Sequence, residues 1–183
     1  MRLPTFPSFV RAVAIAATGL LLLQSSPSEA CTNLVVTPGA SADGSAMLAY
    51  NTDDSELFGF LFHYPAHHYN GGEPIPPRQI YAWETGEYLG EIPDVAHTHN
   101  VIGNCNDAGL CIGETTFGGI DILQNPHKDS RIDYGSLIWI TLQRASTARE
   151  AIDTMTSLME QYGYASKWVS RSYLFFVGSL YDC

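Results

Sequence analysis

The sequence predicts an α+β fold, or a layered αββα arrangement, from a change of period along the chain. Short β-rich segments separated by Pro, Gly and Asp turns run from Thr32 to Phe117. From Asp133 onward the pattern becomes helical, and Ile152, Met155, Met159 and Tyr162, widened by Leu158, form a stripe that must cover a sheet face. The chain has 183 residues, which is enough for one hydrophobic core even after a leader is removed.

Residues 1–30 have the order of a secretory signal peptide: Arg2 and Arg11, an apolar run, then a polar stretch ending at Ala30. The run Val13–Leu23 has 11 residues, against the roughly 20 that a membrane-spanning helix needs. Ser28 and Ala30 are small, so cleavage is expected between Ala30 and Cys31. Glu29 makes the preceding residues a poor lipobox, which argues against a lipid-anchored Cys31.

The β region begins with 32–37, turns at PGASADG and returns over 45–50, a hairpin with Cys31 at its free end. NTDD closes its second strand. A third strand is expected over 56–64, followed by a Pro- and Gly-rich loop over 65–79. Residues 80–92 read as two aromatic strands around ETGE, and 97–105 and 110–117 as strands joined by an Asp/Gly turn. The first helix starts at Asp133. The second opens with Thr147 and Glu150 as a capping box and stops at Gly163. Trp83 and Trp139 read as core. There is no internal repeat and no N-x-[ST] sequon.

Composition narrows the partners. The chain carries 9 basic and 19 acidic residues, and removal of the leader with Arg2, Arg11 and Glu29 leaves 7 and 18. Nucleic acid and anionic membrane are held by clustered basic residues, so neither is expected as a partner. The acidic balance fits a secreted protein, extracellular or delivered to a lysosome or vacuole.

Four cysteines, Cys31, Cys105, Cys111 and Cys183, allow three pairings if all are used. Cys105 and Cys111 are close enough to pair across a hairpin, or they are two small buried thiols on neighbouring strands. Cys31 is the chemical candidate. A thiol titrates near 8.5 and an α-amino group near 7.7 to 8.0, so an amino-terminal cysteine supplies nucleophile and base from one residue. An amide nitrogen cannot be that base, which explains a need for processing.

Asp53 and Asp54 end the second strand, where a carboxylate either orients the amine and thiol or forms an Asx turn. Glu114, Thr115 and Thr116, followed by Phe117, Gly118 and Gly119, offer an oxyanion-hole segment or a tight β turn. His63, His67, His68, His97 and His99 invite a metal hypothesis. Pro65 and irregular spacing argue instead for surface or core histidines.

CTN directly after the leader, ADGS, YNTDD and GETTFGG resemble, in order and spacing, the amino-terminal part of the peptidase family C69 dipeptidases. These are N-terminal nucleophile hydrolases related to the secernins and, more distantly, to penicillin V acylase and bile salt hydrolase. The resemblance covers about residues 31–166. It implies a four-layer αββα fold, hydrolysis of short peptides, mainly dipeptides, and no cofactor.

By this resemblance Cys31 matches the nucleophile, Asp53 the Asp that ends the acylase motif, and Thr115 falls where those relatives place an oxyanion-hole residue. The acylases carry Arg three residues before that Asp, where this chain has Tyr50. Cys105 stands where the GN-x-NE pattern has Met, and Asp107 replaces its Glu. The family continues into a long second half that contributes an Asn and an Arg to the site. Here residues 167–183, KWVSRSYLFFVGSLYDC, depart from it, as a misread exon boundary or a truncated product would.

A truncated fold would leave strand edges uncovered and invite aggregation. The sequence therefore points to a cysteine-type dipeptidase, with an N-acyl amidase or an inactive secreted binding module as the alternatives.

Overall fold

The computed structural model describes residues 31–52, 59–117, 128–166 and 172–179. It is a mixed α/β structure in which a two-stranded sheet stacks on a larger one. β1 (Thr32–Val36) and β2 (Met47–Asn51) pair antiparallel, Thr32 opposite Asn51 and Val36 opposite Met47. Asp43 builds the turn between them: its Oδ1 accepts from the hydroxyls of Ser41 and Ser45 at 2.6 and 2.7 Å and from Ser45 N–H at 3.0 Å. Gly44 supplies the left-handed φ of 77° that the turn requires. The hydrogen bonds from Ser41 and then Ser45 hold the Asp43 carboxyl well below the usual carboxylate range.

Then follow β3 (His63–Tyr64), the hairpin of β4 (Arg78–Tyr81) and β5 (Tyr88–Ile92), β6 (Val101–Ile102), β7 (Cys105–Asn106), β8 (Leu110–Phe117) and β9 (Ser172–Ser179). β3, β6, β7, β8 and β9 form one antiparallel five-stranded sheet in that order. Of the strand expected over 56–64, β3 is the part that forms among the described residues. Residues 53–58 lie outside the described residues, and Phe60 and Leu61 are 74% and 82% exposed. Among the described residues β3 pairs with β6 alone, and β6 is two residues long, so the ladder ends there.

Within 167–183, the segment set apart by sequence, residues 172–179 run beside β8 along its whole length, Leu110 opposite Ser179 and Phe117 opposite Ser172. Cys105 and Cys111 face each other across β7 and β8 and form a disulfide, Cα–Cα 4.1 Å.

α1 (Tyr134–Arg144) is buried from Gly135 through Gln143. It lies against β6, β7 and β8, where Val101, Leu110 and Ile112 meet Leu137, Ile140 and Leu142 in the core. Gly135 is obligatory there, because a Cβ would stand 2.4 Å from Trp83 Cγ. Asp133 caps the helix by accepting from Ser136 N–H at 2.8 Å. Its other oxygen accepts Trp83 N–H at 2.6 Å, tying the β4–β5 hairpin to α1.

α2 (Ala148–Tyr162) opens with the Thr147–Glu150 capping box and ends at Gly163. Its buried stripe is Ala151, Met155 and Leu158, flanked by Ala148, Met159 and Tyr162. Ile152, expected in the stripe, is 50% exposed. The buried stripe instead runs through the neighbouring Ala151, which is fully buried in the core.

Asn106 is the polar pin of this core. Its Nδ2 donates to the carbonyls of Leu142 and Ala145 at 2.7 and 2.8 Å, and its Oδ1 accepts from the N–H groups of Ala108 and Leu110 at 3.1 and 2.9 Å. It thus satisfies carbonyls at the end of α1 and fixes the β7–β8 turn at once. Asn106→Ala should lower the free energy of unfolding by about 3 kcal/mol, measured by urea denaturation. In an NMR titration Asp43 should stay ionised below the range of ordinary aspartates. The turn's carboxylate contribution is present above that range and is lost only as pH falls through the depressed value.

Candidate active site

Cys31 is the residue that precedes β1, partly buried and not disulfide-bonded. Alternation along a strand sends successive side chains to opposite faces. The register that pairs Thr32 with Asn51 and Asn33 with Tyr50 therefore puts Cys31 and Asn33 of one strand on the same face as Tyr50 and Thr52 of the other. That face turns toward β8, and Gly113 permits the approach: a Cβ there would lie 3.1 Å from Asn33 Oδ1 and 3.2 Å from Leu48 Cδ2.

The contacts with β8 are polar and specific. Asn33 Nδ2 donates to the carbonyl of Glu114 at 2.7 Å. Tyr50 donates its phenol proton to Glu114 Oε1, and Thr52 donates its own to the Tyr50 oxygen at 2.9 Å. Thr115 Oγ1 donates to the main-chain carbonyl of Cys31 at 3.4 Å. Thr32 N–H is held by Asn51 Oδ1 at 3.1 Å. Glu114 is 3% exposed. Burial and the bond to Glu114 push the Tyr50 phenol well above its ordinary value, so it remains a donor.

Of the residues singled out by sequence, Cys31 and Thr115 are therefore brought together, through the Cys31 carbonyl. Asp53 lies outside the described residues, immediately after Thr52. Tyr50, seen in the sequence only as a departure from the acylases, has a structural partner in Glu114. Asn33 and Thr52 were missed, although the period-2 count from Cys31 would have put both on its face.

The histidines do not converge. His63 bonds Asn100 at 2.8 Å, His67 bonds Thr98 at 3.0 Å, and His99 lies between Asp107 and Ser146 at 2.8 and 2.9 Å. His68 and His97 pair with each other, Nδ1 to Nδ1, at 2.9 Å. Among the described residues no group of three or more His, Cys, Asp or Glu side chains could hold a metal ion, and no helix is long and apolar enough to cross a membrane.

The sequence model of peptidase family C69 matches residues 30–170. With its mixed α/β core and stacked sheets, the chain falls in the class of N-terminal nucleophile hydrolases. It belongs to peptidase family C69. No curated protein and no solved structure matches it.

The bond from Asn33 is the contact that seats β1 on β8. Asn33→Ala should cost about 1–2 kcal/mol. Hydrogen exchange should then quicken across Thr32–Val36 and stay unchanged in β4 and β5.

Proposed function

We propose that this chain is a cysteine-type dipeptidase of the secretory pathway whose nucleophile is Cys31, exposed as the amino terminus when residues 1–30 are removed as a signal peptide. The observation that carries the reading is the placement of Cys31: a cysteine outside the disulfide, at the start of the family match, at the head of a hairpin pinned to β8. A nucleophile on a paired strand keeps its position where a free chain end would fray.

In the reaction the Cys31 thiol gives its proton to the α-amino group of the same residue, and sulfur attacks the scissile carbonyl. The tetrahedral intermediate collapses as the α-ammonium returns that proton to the leaving amine, leaving a thioester. Water, deprotonated by the same amine, then releases the acid product. Asp53 is assigned the orientation of the α-amino group, and Thr115 a share of the oxyanion site. No cofactor enters this sequence of steps.

The substrates proposed are dipeptides and short peptides, and the destination extracellular, lysosomal or vacuolar. The complete family architecture would be the four-layer αββα fold, of which residues 31–166 supply the amino-terminal part.

Mature protein beginning at Cys31 should hydrolyse dipeptides, and Cys31→Ala should lower kcat/KM by at least about 10⁴-fold. Retained hydrolysis in that variant would overturn the mechanism. Faster turnover of acyl-amides than of dipeptides would reassign the same site to an amidase.

A further inference from the structure

The mechanism proposed above uses Cys31 and its own nitrogen, yet the face they share carries a buried carboxylate and a phenol that it leaves idle. Antiparallel pairing continued by one residue sets Cys31 opposite Thr52, and Tyr50 then stands diagonally across from Cys31 on the same face. From Thr52 a chain of hydrogen bonds runs to Tyr50 and ends on Glu114. The next residue of β8, Thr115, holds the Cys31 carbonyl. The chain thus starts across from the nucleophile and ends beside the strand residue that grips it.

Its direction is set by chemistry. Tyr50 donates to Glu114, and Thr52 donates to Tyr50. The Thr52 oxygen consequently keeps lone pairs that can accept an N–H from an amine on Cys31. Among the described residues the titratable groups on this face are Tyr50 from β2 and, at the end of the chain of hydrogen bonds, Glu114 from β8; Asn33, Thr52 and Thr115 are uncharged, and Asp53, which follows Thr52, lies outside the described residues. Charge on Cys31 is felt by Tyr50, which agrees with their diagonal placement.

We propose that Tyr50 and Glu114, which are bonded to each other and reach Cys31 through Thr52, are positioning residues for Cys31: Thr52 and Tyr50 orient its freed α-amino group, and the negative charge of Glu114 makes that amine a stronger acceptor for the thiol proton. The inference rests on the dipeptidase reading for the reaction, and on the hairpin geometry alone for the placement. The proton moves from sulfur to nitrogen and the pair stays neutral overall, so no further reactant is needed. A neighbouring carboxylate favours the ammonium. Removing it must ease deprotonation.

The test uses mature protein beginning at Cys31, with Glu114→Gln, Glu114→Asp and Tyr50→Phe beside wild type. Two pH profiles are recorded: the rate of iodoacetamide alkylation at Cys31, mapped by peptide mass spectrometry, and kcat/KM for a dipeptide. In Glu114→Gln the alkylation midpoint and the acid limb of kcat/KM should both move down by on the order of half to one pH unit. Glu114→Asp should restore most of the shift. Tyr50→Phe should lower kcat about tenfold with KM held within about twofold.

Alkylation profiles of Glu114→Gln and Tyr50→Phe that coincide with wild type, with hydrolysis intact, would overturn the positioning role and leave the dipeptidase reading standing. A shifted alkylation curve in protein that hydrolyses no dipeptide would confirm the placement and remove the reaction instead.

Discussion

The edge of β8 that β7 leaves unpaired is the constraint around which the rest is arranged. β9 covers one edge of the strand along its full length, whereas β7 reaches only the Cys105–Cys111 level of the other. Beyond that point, among the described residues, no strand donates to the carbonyls of Ile112 and Glu114. A buried carbonyl left without a donor is costly. Two side-chain amides take the place of the missing strand. Asn104 Nδ2 serves Ile112 at 2.7 Å and Asn33 Nδ2 serves Glu114 at 2.7 Å. The second of these comes from the hairpin that carries Cys31. Satisfying the backbone of β8 and seating Cys31 are therefore one act.

The same economy holds on the helical side. Asn106 answers carbonyls at the end of α1 from the end of β7, and Asp133 joins the start of α1 to the β4–β5 hairpin at Trp83. Asp94, only 5% exposed at its side chain, gathers Arg78 at 2.8 Å and Arg144 at 3.7 Å, with His67 at 3.4 Å. Arg144 loses some of its basicity to burial, which the charge of Asp94 opposes. Arg78 also lies over the Trp139 ring, 5.7 Å from its centroid. These buried polar links join elements far apart in sequence. Short strands such as β6 and β7, two residues each, have too few ladder bonds to hold their register alone.

What could be read from the sequence was local, and what could not was a matter of pairing. The capping box at Thr147, the stop at Gly163 and the hairpins at 32–50 and 80–92 depend on neighbours within a few residues, and they formed as the residues dictate. So did the expectation that Cys31 heads the first strand. Of the strand expected over 56–64, residues 59–62 stay outside β3 because strand length is set by the partner, here the two residues of β6. Ile152 turned outward because periodicity locates a stripe only to within one position, and the position that is buried is Ala151. ADGS, read both within the PGASADG turn and as part of a family resemblance, is that turn: Asp43 binds Ser45 and Gly44 supplies the backbone. Tyr50 and Glu114 are 64 residues apart. No local pattern relates them, although each lies at a strand position whose parity could be counted.

The anchoring of Cys31 has a consequence for the proposed processing. Its carbonyl is held by Thr115, the following N–H by Asn51, and the side chain two residues on by the edge of β8. None of these contacts uses the nitrogen of Cys31. A cut before that residue would convert an amide nitrogen into an amine without releasing a bond that positions the thiol. On the proposed reading, cleavage changes chemistry and leaves geometry alone. The hairpin can then be assembled in the precursor, and a base appears on a nucleophile already in place. An arrangement in which the nitrogen itself tied β1 to its neighbours would have lost either the base or the anchor on maturation.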